Sequence, residues 1–161
     1  MTYFDRRTVL TAGTLLPILL GAASAPAKPL TVLFVCQAGT AKSAIARELF
    51  RKRASERGIA AVAFSRGLHI EDHVSLPLRQ KLAAERIETR RDGFSVLTAR
   101  DVRAADIVIA FTAIPPAHRP RQVLDWSSVA SVNDSYVTAR ADIDARIDAL
   151  LDSIAADGKR R

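Results

Sequence analysis

The chain of 161 residues contains a single cysteine, Cys36, and few aromatic side chains. One cysteine excludes an internal disulfide framework and any metal cage built from several cysteines. Aromatic residues form 6% of the chain, so a row of stacking rings for single-stranded nucleic acid is not expected. The composition therefore argues against a nucleic-acid partner, and we expect neither a metal nor another cofactor.

Acidic residues are scarcer than basic ones, with 17 Asp and Glu against 24 Lys and Arg and a formal net charge of +7. A basic surface favours anionic partners, but charge alone does not separate nucleic acid, membrane surfaces and phosphorylated substrates. Hydrophobic residues make up 48% of the chain and charged residues 25%, which excludes general disorder. A chain of this length forms one domain with a sizeable core.

Residues 1–27 have the composition of an export signal. Arg6 and Arg7 precede an apolar stretch at 9–20, which a glycine and a proline interrupt and small residues follow. The stretch is too short to span a bilayer comfortably, and the paired arginines resemble a twin-arginine signal, whose pathway carries folded proteins. We therefore expect a periplasmic or otherwise exported protein with no stable membrane association after signal removal. The alternative is a membrane anchor that is never cut.

From residue 28 onward, the hydrophobic pattern alternates between strands and helices. Continuous apolar runs predict buried strands at 30–35, 60–64 and 105–112, and a weaker run predicts one at 122–124. Helical spacing predicts helices from 43 to the stop at Gly58, at 78–86, at 97–103 with Thr98 as N-cap, and at 136–154. This alternation predicts a three-layer α/β sandwich with a four-stranded parallel sheet at 28–155, followed by a basic tail at 156–161.

The first strand runs directly into a loop that combines a thiol, small residues, a cation and a hydroxyl. In chain order the loop reads Cys36, Gln37, Ala38, Gly39, Thr40, Ala41, Lys42 and Ser43. Ligands of α/β folds bind beyond the carboxyl ends of strands, and N–H groups entering a helix make a cradle for anions. The helix dipole and Lys42 favour the thiolate of Cys36. Cys36 is therefore a candidate nucleophile facing a phosphate, the alternative being a buried, inert cysteine.

These motifs resemble the low-molecular-weight protein tyrosine phosphatases and the arsenate reductases that share their fold. The resemblance rests on VLFVC at 32–36, followed by five residues, a cation and Ser43. It continues through Ser-Arg-Gly at 65–67, the segment LTARDVRAADIVIAF at 97–111 and the last helix. It implies the fold of that family over about residues 30–154.

The resemblance also implies a phosphomonoester hydrolase that works in two steps. Cys36 would attack the phosphoryl group, and water would hydrolyse the resulting phosphocysteine. Ser43 would donate a hydrogen bond to the departing thiolate, while N–H groups of the loop from Gln37 to Ser43 would hold the phosphoryl oxygens. The expected substrate is a phosphorylated protein, with phosphotyrosine foremost, or a small phosphomonoester.

Two departures from the family pattern affect the predicted chemistry. Lys42 stands where the family has an arginine, and it offers one point charge in place of a fork that grips two oxygens. Arg66 is either a replacement cation or a solvated surface residue. The family's acid is an aspartate before a proline, a pair that this chain lacks. Asp134 is the nearest candidate, with N-capping of the last helix as its alternative role, and Asp125 is a weaker candidate.

Two other functions stay open from the sequence. Thioredoxin-coupled arsenate reductases shuttle a disulfide through further cysteines, so only a reductase that uses an external thiol is compatible with Cys36 alone. A non-catalytic module that binds phosphate or another oxyanion is compatible with Lys42 and with the missing Asp-Pro pair.

Gly39 stands where the phosphatases often carry asparagine, which predicts a positive φ at this position.

Overall fold

The computed structural model describes residues 28–158, except residues 73, 91–94, 119 and 121. The predicted export signal at 1–27 and the last residues of the basic tail, 159–161, lie outside the described residues. In chain order the described elements are β1 (Leu30–Cys36), α1 (Lys42–Glu56), β2 (Ala61–Gly67), α2 (Leu76–Ala84), α3 (Ala99–Ala104), β3 (Ile107–Ala110), β4 (Val123–Asp125) and α4 (Tyr136–Gly158). Within this part of the chain, no helix is both long and apolar enough to cross a membrane.

The four strands form one parallel sheet in the order β2-β1-β3-β4. Side chains of α1, α2 and α4 bury one face of the sheet, and α3 covers part of the other face. The run LTVLFVC of β1 is apolar except for Thr31, because this strand lies inside the sheet with both faces covered. The predicted three-layer α/β sandwich with a four-stranded parallel sheet is therefore confirmed.

The element ends differ from the predicted ends where local contacts override the pattern. β2 continues to Gly67, because Gly67 still pairs with Cys36 in the register of the two strands. α2 begins at Leu76, two residues before the predicted start. The Ser75 hydroxyl accepts from the Leu78 N–H at 3.4 Å, and Pro77 is tolerated in a first turn, where N–H groups have no helical partner. α4 continues to Gly158, past the predicted end at 154.

α3 is capped by Thr98, as predicted. The Thr98 hydroxyl accepts from the Asp101 N–H at 3.2 Å, and the Asp101 carboxylate accepts from the Thr98 N–H at 2.9 Å. Arg66 forms an ion pair with Asp101 at 3.0 Å. Burial raises the pKa of Asp101, but hydrogen bonds from Thr98 and Arg66 outweigh burial and hold that pKa below its usual value. Arg66 is thus paired with α3 and is not the solvated surface residue considered for it, while its role as a replacement cation stays a prediction.

Candidate active site

The loop between β1 and α1 folds tightly beyond the carboxyl end of the inner strand. We call residues 36–43 the cysteine loop. Gln37 is exposed, whereas Ala38, Gly39, Thr40 and Ala41 are buried. Gly39 has a φ of +74°, a backbone conformation that glycine adopts without a steric penalty. The positive φ predicted at this position is confirmed.

The Cys36 sulfur lies inside the cysteine loop with two hydrogen-bonding groups directed at it. The Gly39 N–H donates to Sγ at 3.1 Å, and the Ser43 hydroxyl lies 3.0 Å from Sγ. Ser43 is fully buried in the first turn of α1, so its hydroxyl is held in place. Both groups stabilise a thiolate, because a charged sulfur accepts from each of them. The structure thus brings Cys36, Gly39 and Ser43 together.

Two glycines allow the cysteine loop to pack directly on the end of β2. A Cβ added at Gly39 would lie 2.8 Å from the Gly67 nitrogen, and one added at Gly67 would lie 2.7 Å from the His69 carbonyl oxygen and 2.8 Å from the Gly39 nitrogen. No real side chain tolerates such distances. Gly67 is a site residue that the sequence analysis missed as such, although the Ser-Arg-Gly motif marked its position.

The segment that follows β2 holds the cysteine loop in place. The Leu68 and His69 N–H groups donate to the Gln37 carbonyl at 3.0 and 2.9 Å. The buried Thr40 hydroxyl donates to the Glu71 carbonyl at 2.7 Å. These bonds join the Gln37 carbonyl and the Thr40 side chain of the loop to the segment after β2, so they hold the loop against that segment. The loop is therefore preorganised before any ligand binds.

The start of α1 gives the cysteine loop a positive electrostatic field. The first turn of α1 contains no acidic residue, so the partial positive charge of the helix N-terminus is not cancelled there.

Arg47, one turn after Ser43, is fully buried. Its guanidinium donates to the Ser65 hydroxyl at 2.6 Å and to the Glu88 carbonyl at 2.8 Å. Arg47 thereby fastens α1 to β2 close behind the cysteine loop.

The Lys42 side chain contacts the neighbouring loop, not the sulfur-binding groups. Its ammonium donates to the Val129 carbonyl at 3.0 Å and lies 5.8 Å from the centre of the Phe111 ring. Val129 belongs to the segment between β4 and α4, residues 126–135, which we call the β4–α4 loop. The Lys42 ammonium therefore contacts a carbonyl oxygen, whereas the sequence predicts a contact with phosphoryl oxygens. The long lysine stem lets the ammonium reach that carbonyl.

The candidate acids differ in their surroundings. Asp134 is exposed in the β4–α4 loop. Ser135 directly precedes α4, and its carbonyl accepts the first helical bond, from the Ala139 N–H at 3.0 Å. The N-cap role considered for Asp134 is therefore filled by Ser135. Asp125 accepts from the Ser127 N–H at 2.8 Å, and this bond holds the pKa of Asp125 below its usual value. The Asp125 carboxylate is therefore engaged with the backbone of the turn that follows β4.

The segment that follows β3 lies next to Cys36, because the Phe111 N–H donates to the Val35 carbonyl at 2.8 Å. A cavity of about 640 Å³ lies between this segment and β4, with walls that include Thr112, Ile114 and Asp125 and no residue of the cysteine loop. In the described part of the chain, no group of three His, Cys, Asp or Glu side chains is arranged to hold a metal ion.

A thiol with two donors aimed at it, in a loop entering a helix N-terminus, defines the class of cysteine-dependent phosphatase-type sites. Residues 31–144 match the family model described as low molecular weight phosphotyrosine protein phosphatase. The chain belongs to this family. The family predicted from the sequence is thereby confirmed.

Solved structures with the same fold include both enzyme types named in the sequence analysis. YfkJ from Bacillus subtilis has 18% identity and a TM-score of 0.69, and the match covers 83% of this chain and 99% of YfkJ. YwlE arginine phosphatase from Geobacillus stearothermophilus has 19% identity and a TM-score of 0.65, covering 83% and 97%. The thioredoxin-dependent arsenate reductase of Corynebacterium glutamicum has 22% identity and a TM-score of 0.59, covering 83% and 65%. No curated protein matches the chain by sequence.

Proposed function

We propose that this protein hydrolyses phosphomonoesters through a phosphocysteine at Cys36. The observation that carries the proposal is the sulfur geometry: Sγ has the Gly39 N–H at 3.1 Å and the Ser43 hydroxyl at 3.0 Å. Such contacts serve a sulfur that must carry negative charge. A structural cysteine in a hydrophobic core has no use for them.

In the first step, the Cys36 thiolate attacks phosphorus. A P–S bond forms while the bond between phosphorus and the leaving oxygen breaks, and that oxygen takes a proton from an acid, for which Asp134 is our candidate. Loop N–H groups from Gln37 to Ser43 and the N-terminus of α1 stabilise the charge on the phosphoryl oxygens.

In the second step, water attacks the phosphocysteine and gives a proton to the carboxylate that the first step left ionised, for which Asp134 is our candidate. A P–O bond forms, the P–S bond breaks, and inorganic phosphate leaves. The sulfur departs as a thiolate, which the Ser43 hydroxyl and the Gly39 N–H stabilise at the distances given above. The two steps conserve oxidation state, so the reaction needs no second cysteine and no reductant.

A similar structure supports this chemistry and widens the choice of substrates. One neighbour is a YwlE arginine phosphatase in which a serine introduced for cysteine carries a phosphoryl group in the active site (20% identity, TM-score 0.68). That protein therefore accepts a phosphoryl group at its nucleophile position. We propose phosphotyrosine as the first substrate class to test, with phosphoarginine as the second.

A second candidate function, a non-catalytic oxyanion-binding module, is favoured by one observation. The Lys42 ammonium, expected to stabilise the transition state, contacts the Val129 carbonyl. Arsenate reduction is disfavoured, because the chain has one cysteine and a reductase built on it would have to borrow a thiol from another molecule.

Steady-state hydrolysis of p-nitrophenyl phosphate tests the proposal. Native protein should turn over, Cys36→Ser should lose at least about 10⁴-fold in kcat, and Ser55→Ala, at an exposed position of α1, should match native protein. If native protein binds phosphate or arsenate but hydrolyses neither aryl phosphates nor phosphoarginine, the phosphatase proposal is rejected and the oxyanion-binding module is favoured.

We also propose that the protein is exported by the twin-arginine pathway, with Arg6 and Arg7 as the recognised pair. Replacing both arginines with lysine should leave the uncut precursor in the cytoplasm of the native host. Continued appearance of a shortened chain in the periplasm would reject the twin-arginine pathway, and a full-length chain in the membrane fraction of unmutated cells would favour the anchor.

A further inference from the structure

Lys42 lies at the junction of the two loops that the proposed reaction requires. It is the first residue of α1 and belongs to the end of the cysteine loop. Its ammonium donates to the Val129 carbonyl at 3.0 Å and lies 5.8 Å from the Phe111 ring centre. A lysine ammonium is a compact charge on a flexible stem. A carbonyl oxygen and an aromatic face together satisfy it.

Val129 is one of the residues that anchor the β4–α4 loop. Trp126, Val129 and Val132 are buried, whereas Asn133, Asp134 and Ser135 are exposed. The Val129 N–H donates to the Trp126 carbonyl at 3.1 Å, and the Val129 carbonyl accepts from Lys42. Val129 is therefore held through both of its backbone polar groups. Lys42 is thus bound to a buried anchor of the β4–α4 loop, and this anchor precedes the exposed residues 133–135.

A second contact holds the far side of the same loop. The Ser75 N–H donates to the Asn133 side-chain carbonyl at 3.2 Å, next to Asp134 in the chain. Asp134 therefore follows two attachment points, one made by Lys42 and one by the start of α2. Loss of the first would leave the loop attached at Asn133, at Ser128 through the Arg146 guanidinium at 2.8 Å, and by its apolar anchors.

The cysteine loop can hold an anion without the Lys42 ammonium. Its N–H groups and the uncancelled N-terminus of α1 supply positive potential at the sulfur. For the ammonium to reach phosphoryl oxygens as well, it would have to turn another of its three N–H groups toward them while it keeps its bond to Val129. The contacts present in the structure favour a different use of the charge.

We propose that Lys42 is a positioning residue, which fixes the β4–α4 loop through the Val129 carbonyl and so sets the placement of Asp134, and which does not grip the phosphoryl oxygens. This inference rests on the proposed phosphatase function. It gives Lys42, which stands where the family has an arginine, a function different from binding the phosphoryl oxygens.

The experiment compares two leaving groups in the full-length protein. Phenyl phosphate needs an acid to protonate its leaving oxygen, whereas p-nitrophenyl phosphate needs one far less. Lys42→Met keeps the length of the stem and removes the charge and the donor. Its kcat/KM, which reports formation of the phosphocysteine, should fall about tenfold or more for phenyl phosphate and less than about threefold for p-nitrophenyl phosphate. Inhibition by inorganic phosphate should change less than about twofold.

Three further variants complete the comparison. Asp134→Asn should show the same dependence on the leaving group, and the Lys42→Met, Asp134→Asn double variant should lose little more than Asp134→Asn alone, since both act through one proton transfer. Lys52→Met, at an exposed position on the same helix, is the matched control and should match native protein on both substrates.

A direct role for Lys42 at the phosphoryl oxygens would give a different pattern. Equal losses of Lys42→Met on both substrates, together with phosphate inhibition weakened tenfold or more, would overturn the proposal. So would a Lys42→Arg variant that hydrolyses both substrates faster and binds phosphate more tightly, because a guanidinium fork improves a phosphate clamp.

Fluorescence separates this inference from the proposed function. Trp126, the single tryptophan of the chain, lies in the β4–α4 loop with its ring centre 5.7 Å from that of Phe111. Acrylamide quenching of Trp126 should increase in Lys42→Met and stay unchanged in Lys52→Met. If no form hydrolyses any phosphomonoester, the proposed function has failed and the quenching alone decides whether Lys42 fixes the loop. Unchanged quenching in Lys42→Met would overturn the inference.

Discussion

The cysteine loop and the β4–α4 loop lie at the same end of the sheet but are held in different ways. The cysteine loop is fixed mainly through its backbone: the Gly39 N–H points at the Cys36 sulfur, and Gly39 packs on the Gly67 backbone. The β4–α4 loop is fixed by contacts that use side chains, with the Lys42 ammonium on the Val129 carbonyl and the Asn133 side chain on the Ser75 N–H.

This difference assigns separate tasks to the two loops. A loop held by its own backbone is suited to binding a charge that every substrate shares, because its donors need no rearrangement. A loop held by a few side-chain contacts is suited to placing an acid and adapts more readily to a change of sequence. Substitutions of Cys36, Gly39 and Ser43 should therefore affect all substrates. Those in the β4–α4 loop, and those of Lys42, which holds that loop, should depend on the leaving group.

The largest expected effect is that of Asp134→Asn on a poor leaving group. General acid catalysis contributes on the order of 10²–10⁴-fold, so kcat/KM for phenyl phosphate should fall by at least about 100-fold and that for p-nitrophenyl phosphate by much less. Asp125→Asn is the comparison, since the Asp125 carboxylate is engaged with the backbone of the turn that follows β4, and it should lose less than about threefold. If Asp125→Asn has the larger effect, the acid has been misassigned.

Gly67→Ala should disturb the cysteine loop for every substrate. The new Cβ would lie 2.7 Å from the His69 carbonyl oxygen and 2.8 Å from the Gly39 nitrogen, so the loop must move. A displacement of about 1 Å at reacting groups lowers rates on the order of 100-fold. Both aryl phosphates should lose equally. Gly158→Ala meets no neighbouring atom within 4 Å and is the control; retention of native rates by Gly67→Ala would refute the tight packing.

Ser43→Ala should slow the step in which the thiolate leaves. A hydrogen bond to a charged group contributes about 1.5–3 kcal/mol, or roughly 10- to 100-fold in rate. Hydrolysis of the phosphocysteine should become rate-limiting, so a burst of p-nitrophenol should precede the steady state in rapid-mixing experiments. The absence of a burst, with kcat unchanged, would show that the hydroxyl does not serve the sulfur.

The smallest effect concerns stability at α3, remote from both loops. Asp101 has a lowered pKa in the folded protein, so its contribution to stability is present above its unfolded pKa and is lost as the pH falls below the usual value of 3.8. Asp101→Asn should lower the free energy of unfolding by about 1 kcal/mol at neutral pH, with kcat unchanged. Urea unfolding at several pH values tests this, and the difference from native protein should shrink in acid.

How far the sequence predicts this structure depends on how local the determinants are. The run LTVLFVC and the small residues after it specify β1 and the cysteine loop, because burial, glycine φ and helix entry are all set within a few residues. Thr98 was predicted as a cap for the same reason. The family followed from this segment and from its continuation at 97–111.

What the sequence did not predict depends on contacts between distant residues. Nothing near Lys42 in the chain indicates Val129 as its partner, and nothing near Arg66 indicates Asp101. Lys42 was expected at the phosphate because it stands where the family has an arginine, and Arg66 was considered as a replacement, but each is bound by an oxygen that folding brings close. The N-cap of α4 was missed by one position, since Asp134 and Ser135 are equally good capping residues by type.

The central claim, that Cys36 carries the phosphoryl group during turnover, is tested most directly by trapping the intermediate. Native protein and Ser43→Ala are mixed with p-nitrophenyl phosphate, quenched in denaturant within one turnover and analysed by intact mass and peptide mass spectrometry. We predict one added phosphoryl group per chain, located on Cys36, more abundant in Ser43→Ala and absent from Cys36→Ala. Steady turnover with no phosphoryl group on Cys36, or with that group on another residue, would contradict the account.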